Sequence, residues 1–377
     1  MKLAVVAGEA SGDLHASALV HELRRLDPGL SLFGIGGDRL AAEGMRLVRH
    51  ARDVAIVGLF NVVRHLPMFL SAFRDMKREI ERERPDAVLL VDFPDFNLRV
   101  ARAARRMGVP VVYYISPQIW AWRSGRVRQI AERVDQMIVV FPFEKEFYDR
   151  HGVNVAYVGH PLVDQLGGIT PRGVDPPGVP LRVALLPGSR RMEVGVLLRP
   201  MLEGVAAIRR TREVDARLLI APTIDREPVD ALIAEAGVEA TVVQRGRMEA
   251  LAACDVSICS SGTATLESAV LGVPPIVVYR LPPLTYAVAR RLVRVPQISL
   301  VNIVAGREIV PELLQRDVRG ERIASEVLAM AEPGRWSRAR ADVADVRAKL
   351  GEGGASRKAA EKIVTLVGQG RPSRRSR

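Results

Sequence analysis

The chain has 377 residues, 48% of them hydrophobic and 26% charged, which excludes a disordered polypeptide and leaves room for about two domains. Its formal net charge of +12 favours anionic partners, but no basic stripe interleaved with aromatics accompanies it, so nucleic acid is not an expected partner. No apolar run is long enough for a transmembrane helix, and Cys254 and Cys259, beside or within one apolar segment, read as small buried hydrophobes of a reducing cytoplasm.

The first half alternates strand and helix signals. Residues 3–8 (LAVVAG) predict a strand that breaks into Gly8-Glu-Ala-Ser-Gly-Asp13, and a helix is expected over 14–26. Further strands are predicted at 30–36, 86–92, 109–116, 135–141 and 155–159, with helices near 97–107 and 143–151. Strands this apolar, separated by helices, indicate a parallel sheet covered on both faces. Segment 53–74 is very apolar but broken. It reads either as a buried helix pair or as a surface that meets lipid, with Arg64, Arg74, Lys77 and Arg78 beside it for headgroups.

Residues 167–180 are dense in Pro and Gly and read as a linker. A second alternating series follows, with strands at 181–189, 216–222, 241–245, 256–261 and 274–280. Helices are expected near 193–209, 226–237, 247–253 and 263–271, and the last 55 or so residues read mainly as helix. The economical architecture is α/β: an N-terminal Rossmann-like domain over 1–166 and a second over 181–345, facing a cleft. The C-terminal helix and basic tail, 346–377, would cross back or be swapped.

The Rossmann glycine fingerprint, the Walker A loop and the H-E-x-x-H motif are all absent. Leu186-Pro-Gly-Ser-Arg190 ends a predicted strand, where the backbone N–H groups, Ser189 and the Arg190 guanidinium suit an oxyanion; an ordinary βα turn is the bland reading. In Ser260-Ser-Gly-Thr-Ala-Thr-Leu-Glu267, Gly262 allows close approach, and the first helical turn, with Thr263 and Ala264, would offer N–H groups to a diphosphate. Glu267 would accept bonds from ribose hydroxyls, unless the motif is only a helix cap. Asp92-Phe-Pro-Asp95 ends an apolar strand and puts two acids at its exit, one of them suited to act as general base; an N-cap role for Asp95 is the alternative. Trp120 and Trp122 occupy one loop and suit a sugar or acyl site, or simple packing. His15 and His160 read as structural or polar residues, and no metal site is expected.

Taken in order, Gly8–Asp13, Pro94–Asn97, Ser116–Arg123, Phe143–Lys145, Val158–Pro161, Leu185–Arg190, Ser261–Glu267 and Ala305–Glu308 closely resemble the lipid-A-disaccharide synthase family, from residue 3 to about 315. The family often has Thr where Ala10 stands, and the arginine-rich tail is not a family feature. The resemblance implies a GT-B inverting glycosyltransferase with UDP in the second domain. It would join UDP-2,3-diacylglucosamine to 2,3-diacylglucosamine 1-phosphate (lipid X), giving a β(1→6) disaccharide 1-phosphate plus UDP, with no metal or cofactor. It also implies Asp95 as base, Arg190 as a stabiliser of the departing diphosphate, and Asn302 and Arg307 beside the diphosphate. Location at the inner face of the inner membrane, and a homodimer in some members, come with it. On this reading Glu9, Ser11 and Asp13 face the acceptor; Asp13 is either the cap of the first helix or a reserve base. The alternatives are a UDP-GlcNAc 2-epimerase, a transferase acting on a lipid-linked peptidoglycan precursor, or a non-catalytic nucleotide-sugar-binding or membrane-scaffolding protein.

Overall fold

A computed structural model describes residues 1–54, 62–122, 124–173, 175–282, 285–286 and 296–369. The chain divides into two units, Met1–Pro161 with Gly351–Arg377, and Leu162–Leu350. The expected boundaries at 166, 181 and 345 therefore move. The predicted linker is held within the second unit: the Arg172 N–H donates to the Ala252 carbonyl, and its guanidinium pairs with buried Asp255 at 2.9 Å.

The first unit is built on seven parallel strands in the order β3-β2-β1-β4-β5-β6-β7. These are β1 (Lys2–Ala7), β2 (Ser31–Gly36), β3 (Arg46–His50), β4 (Ala87–Val91), β5 (Val111–Tyr114), β6 (Gln136–Val139) and β7 (Val155–Tyr157). Between them run α1 (Ala10–Leu26), α2 (Asp38–Ala42), α3 (Val62–Glu83), α4 (Pro94–Arg106), α5 (Ile119–Trp122), α6 (Val127–Arg133) and α7 (Pro142–Asp149). The central strands β1 and β4 are almost wholly buried because helices cover both faces, which is why their sequences are continuous apolar runs rather than alternating ones. The final helix, Ala355–Gly368, packs on α1 and so belongs to this unit.

One expectation changes here. The first helix starts at Ala10, not 14, so most of the opening loop is its first turn. In the apolar segment, α3 is one helix. From Pro67 onward it buries Phe69, Ala72, Met76 and Ile80 on one side and exposes Met68 and Leu70 on the other. Residues 55–61 of that segment lie outside the described residues, as does the basic tail from 370.

The second unit opens with α8 (Pro161–Leu166), whose first residue closes the first unit. It then carries six parallel strands in the order β10-β9-β8-β11-β12-β13: β8 (Leu181–Leu186), β9 (Val214–Leu219), β10 (Thr241–Val243), β11 (Val256–Ser260), β12 (Pro275–Tyr279) and β13 (Glu312–Leu314). The helices α9 (Arg191–Arg209), α10 (Arg226–Ala236), α11 (Arg247–Ala252) and α12 (Thr263–Val270) connect them. In both sheets the strand order reverses at the first strand of the unit. β1 lies between β2 and β4, and β8 between β9 and β11. Crevices at the carboxyl ends of such strand pairs are where open α/β sheets bind ligands.

Candidate functional site

Each switch point carries one pair of the motifs found in the sequence. In the first unit these are the loop after β1 and the loop after β4. Gly8 makes their approach possible. A Cβ on Gly8 would lie 2.3 Å from the Phe93 ring, so only a glycine lets that ring settle over the β1 exit. Asp92 and Phe93 both adopt left-handed backbone, at φ +48° and +47°. Such conformations are costly for residues with side chains and persist only where their surroundings hold them. The half-buried Asp92 carboxyl is pushed up to about 6, first by burial and then by the charge of Glu9. Asp95, one helical turn on, is exposed and ion-paired with Arg126 at 2.6 Å.

Around this exit, Tyr113 donates its phenol proton to the Asp92 carbonyl across 2.5 Å, and the Asn97 side-chain amide donates to the same oxygen across 2.6 Å. Glu9 and Ser11 are exposed at the start of α1. Asp13 is not the cap of α1. It is buried, and its carboxylate accepts N–H bonds from Gly37, Arg39 and Leu40 at the start of α2. That occupation overturns Asp13 as a reserve base and as an acceptor contact: both of its oxygens already serve another helix.

The loop after β5 is organised by a residue that sequence reasoning quoted within a motif but did not assign. Glu144 is 1% exposed, its two oxygens accepting from the Trp120 indole N–H at 3.2 Å and the Phe141 N–H at 3.2 Å. Burial pushes its carboxyl up to about 8. Trp120 also meets Phe143 edge-on at 4.8 Å, and Ser116 shares a 2.7 Å hydrogen bond with Tyr148. The Trp122 side chain lies outside the described residues. His160 is pushed down to about 3 by burial and by neighbouring His15, so this histidine stays neutral.

In the second unit the paired loops follow β8 and β11. Gly188 has φ +116°, and a Cβ there would meet the Glu193 carboxylate at 2.3 Å. That carboxylate accepts the N–H groups of Ser189 and Arg190, while Arg190 is 80% exposed and pairs with it at 3.3 Å. The LPGSR turn thus already holds one anion of the chain's own. At the other exit Gly262 precedes α12, Thr263 is exposed and Ala264 half-buried, and Thr265 is buried with its hydroxyl bonded to the Gly262 carbonyl at 2.8 Å. The Thr265 N–H turns back to the Gly262 carbonyl at 3.2 Å, whereas the N–H groups of Thr263 and Ala264, at the first two helical positions, lie where no acceptor exists within their own helix, the arrangement that receives phosphate oxygens. Glu267 is half-buried; burial raises its proton affinity and Arg247 opposes the rise.

The Asn302 side-chain amide has no hydrogen-bonding capacity left for a ligand. It is fully buried, donates to Val310 O and Glu312, and accepts from the N–H groups of Ile309 and Val310. An amide can make four such bonds and all four are used, so its work is to fold the 306–311 turn onto β13. Arg307 is exposed and paired with Asp342. Among the described residues no cluster of three or more metal-ligating side chains occurs, and no helix is long and apolar enough to cross a membrane.

Two Rossmann-like parallel sheets, with an acid at one switch point and an open helix start at the other, define a GT-B fold. Solved structures share it: UDP-GlcNAc 2-epimerase from Neisseria meningitidis bound to UDP-GlcNAc (TM-score 0.64, 13% identity, 97% of this chain and 100% of that one), and MurG from Acinetobacter baumannii (0.62, 16%, 97% and 99%). The family model described as lipid-A-disaccharide synthetase matches residues 3–366, and the lipid-A-disaccharide synthase of Geobacter sulfurreducens is 43% identical over 98% of both chains. The chain belongs to the lipid-A-disaccharide synthase family. It is a glycosyltransferase of lipid A disaccharide synthesis, an enzyme whose substrates are a nucleotide sugar and lipid X.

Proposed function

We propose that the protein transfers the diacylglucosamine of UDP-2,3-diacylglucosamine to the 6-hydroxyl of lipid X with inversion, and that Asp92, rather than Asp95, is the general base. The observation that carries this assignment is the Asp92 carboxyl at the β1/β4 switch point, with its proton affinity raised to about 6. A base of that strength is mostly ionised at neutral pH and still takes up a proton readily. Asp95 already faces the Arg126 guanidinium.

The acceptor oxygen attacks the anomeric carbon as its proton passes to the Asp92 carboxylate. The bond from that carbon to the UDP oxygen breaks, and its electron pair leaves on the diphosphate. The first turn of α12, at Thr263 and Ala264, and the Arg190 guanidinium are the groups suited to that charge; preorganised donors of this kind contribute roughly 3–4 kcal/mol each. Glu267 suits the ribose, and Glu9, Ser11 and Trp120 suit the acceptor sugar. Peripheral membrane contact is supported by Met68 and Leu70, exposed on α3 beside the exposed cations Arg74, Lys77 and Arg78. A homodimer would follow if the helix Ala355–Gly368, which here covers α1, covered the α1 of a second copy instead.

Mass spectrometry of the products from the two acylated sugars tests the reading. The expected result is disaccharide 1-phosphate and UDP from the wild type, near-total loss in Asp92→Asn, and retained turnover in Asp95→Asn. Full turnover by Asp92→Asn would remove Asp92 as base.

A further inference from the structure

We propose that Tyr113 and Asn97 are positioning residues for the transfer: they clamp the main-chain carbonyl of Asp92 and thereby aim its carboxyl. The inference rests on the reading of Asp92 as base.

Neither bond to that carbonyl belongs to regular secondary structure. β4 ends at Val91, and the sheet continues for one more hydrogen bond, from the Asp92 N–H to Tyr114 O at 3.3 Å. Beyond it the chain turns through two consecutive left-handed residues, Asp92 and Phe93. Two consecutive left-handed residues with side chains are strained and persist only where their surroundings hold them. Something must therefore hold the turn. The Asp92 carbonyl receives the Tyr113 hydroxyl at 2.5 Å and the Asn97 amide at 2.6 Å, so both of its lone pairs are occupied. The two donors come from different elements, β5 and α4, and fix the peptide plane from two directions.

Both donors are fully buried. Tyr113 lies in the apolar core of the first unit, where phenylalanine would fill the same space without the hydroxyl. Burial raises the phenol's proton affinity further, so it remains a donor. Asn97 spends its remaining donor capacity on Val91 O at 3.2 Å and Val6 O at 3.5 Å, the carbonyls at the ends of the two switch-point strands. The same amide thus ties β1, β4 and the Asp92 turn together. Phe93, whose ring sits over Gly8 and stacks on Phe96 at 5.4 Å, closes the turn from the other side.

The test measures kcat, KM for both acylated sugars, UDP affinity and the thermal midpoint of Tyr113→Phe and Asn97→Ala, alone and combined with Asp92→Asn. Tyr113→Phe is expected to lower kcat about ten- to hundredfold while KM and UDP affinity stay within twofold, since a misaimed base costs turnover rather than binding. In the Asp92→Asn background the same change is expected to cost nothing further, because there is no longer a base to aim. Asn97→Ala repeats the pattern and serves if Tyr113→Phe does not fold. Wild-type kcat in either folded variant overturns the proposal. So does an undiminished further loss in the Asp92→Asn background, which would mean a purely structural role. If Asp92→Asn itself turns over normally, the base assignment fails whatever the Tyr113 variant does, and the positioning role falls with it.

Discussion

Trp120 donates its indole N–H to the buried carboxyl of Glu144, 24 residues further along the chain, across 3.2 Å. The tryptophan belongs to the short helix α5 that follows β5, and the glutamate to the first turn of α7, where its other oxygen accepts the Phe141 N–H. One carboxyl therefore both closes a helix start and anchors the aromatic loop.

This arrangement predicts a pH-dependent stability. The Glu144 carboxyl is raised to about 8 in the folded chain, from an ordinary value of 4.5. Between these values the unfolded chain has released the proton and the folded chain has kept it, so stability falls as pH rises through that window and levels off above it. His160 acts in the opposite sense, since its folded value of about 3 lies below 6.5 and stability falls as pH drops through that lower window. Urea unfolding between pH 5 and 9 is expected to show a decline above pH 6.5 that is absent in Glu144→Gln. Parallel curves for the two proteins would exclude Glu144 as its source.

The Asp92 shift makes a kinetic prediction. A base raised to about 6 requires kcat/KM to fall on the acid side with a midpoint near that value, well above the midpoint of an ordinary aspartate. Asp92→Asn should lower kcat by about 10²–10⁴. Asp95→Asn breaks an exposed ion pair with Arg126, worth about 0–1 kcal/mol. It should keep more than about a tenth of the activity, a bound set by that small interaction energy. Initial-rate measurements across pH 5–8 decide between the two acids.

Asn302 should behave as a folding residue. Asn302→Ala removes four hydrogen bonds and leaves the Ile309 and Val310 N–H groups without acceptors. The expected cost is about 2–4 kcal/mol in denaturant unfolding. Affinity for UDP, measured per folded molecule by calorimetry, should change less than about threefold, a shift worth under 1 kcal/mol. A large loss of UDP affinity in a normally stable variant would return Asn302 to the ligand.

The two glycines of the opening motif should separate cleanly. Gly8→Ala forces a methyl to within 2.3 Å of the Phe93 ring, whereas at Gly12 the nearest atom would be 3.7 Å away. Gly8→Ala is expected to destabilise by about 1–3 kcal/mol and to depress turnover, because Phe93 neighbours the base. Gly12→Ala, inside α1, should be neutral or gain up to about 1 kcal/mol from helix propensity. Thermal melts and initial rates of both variants check this contrast.

The sequence by itself determined the two sheets, because buried parallel strands must be continuous apolar runs and their helices must begin at polar or small-residue turns. It also located the turns after β1, β4, β8 and β11, since glycine and helix-start residues mark such exits within a few positions. Only the tertiary structure decided what the individual polar residues do there. Asp92 and Asp95 are equivalent acids on paper; they differ because Glu9 and burial act on one and Arg126 on the other. Asp13 and Asn302 look like free cleft groups until Gly37, Arg39 and Leu40, or Val310 and Glu312, are seen to use their hydrogen-bonding capacity. The C-terminal helix joins the first unit because α1 offers it a packing face. Hydrogen-bond saturation and burial depend on partners distant in sequence, so local pattern fixes where a site lies while packing fixes which of its residues remain free to react.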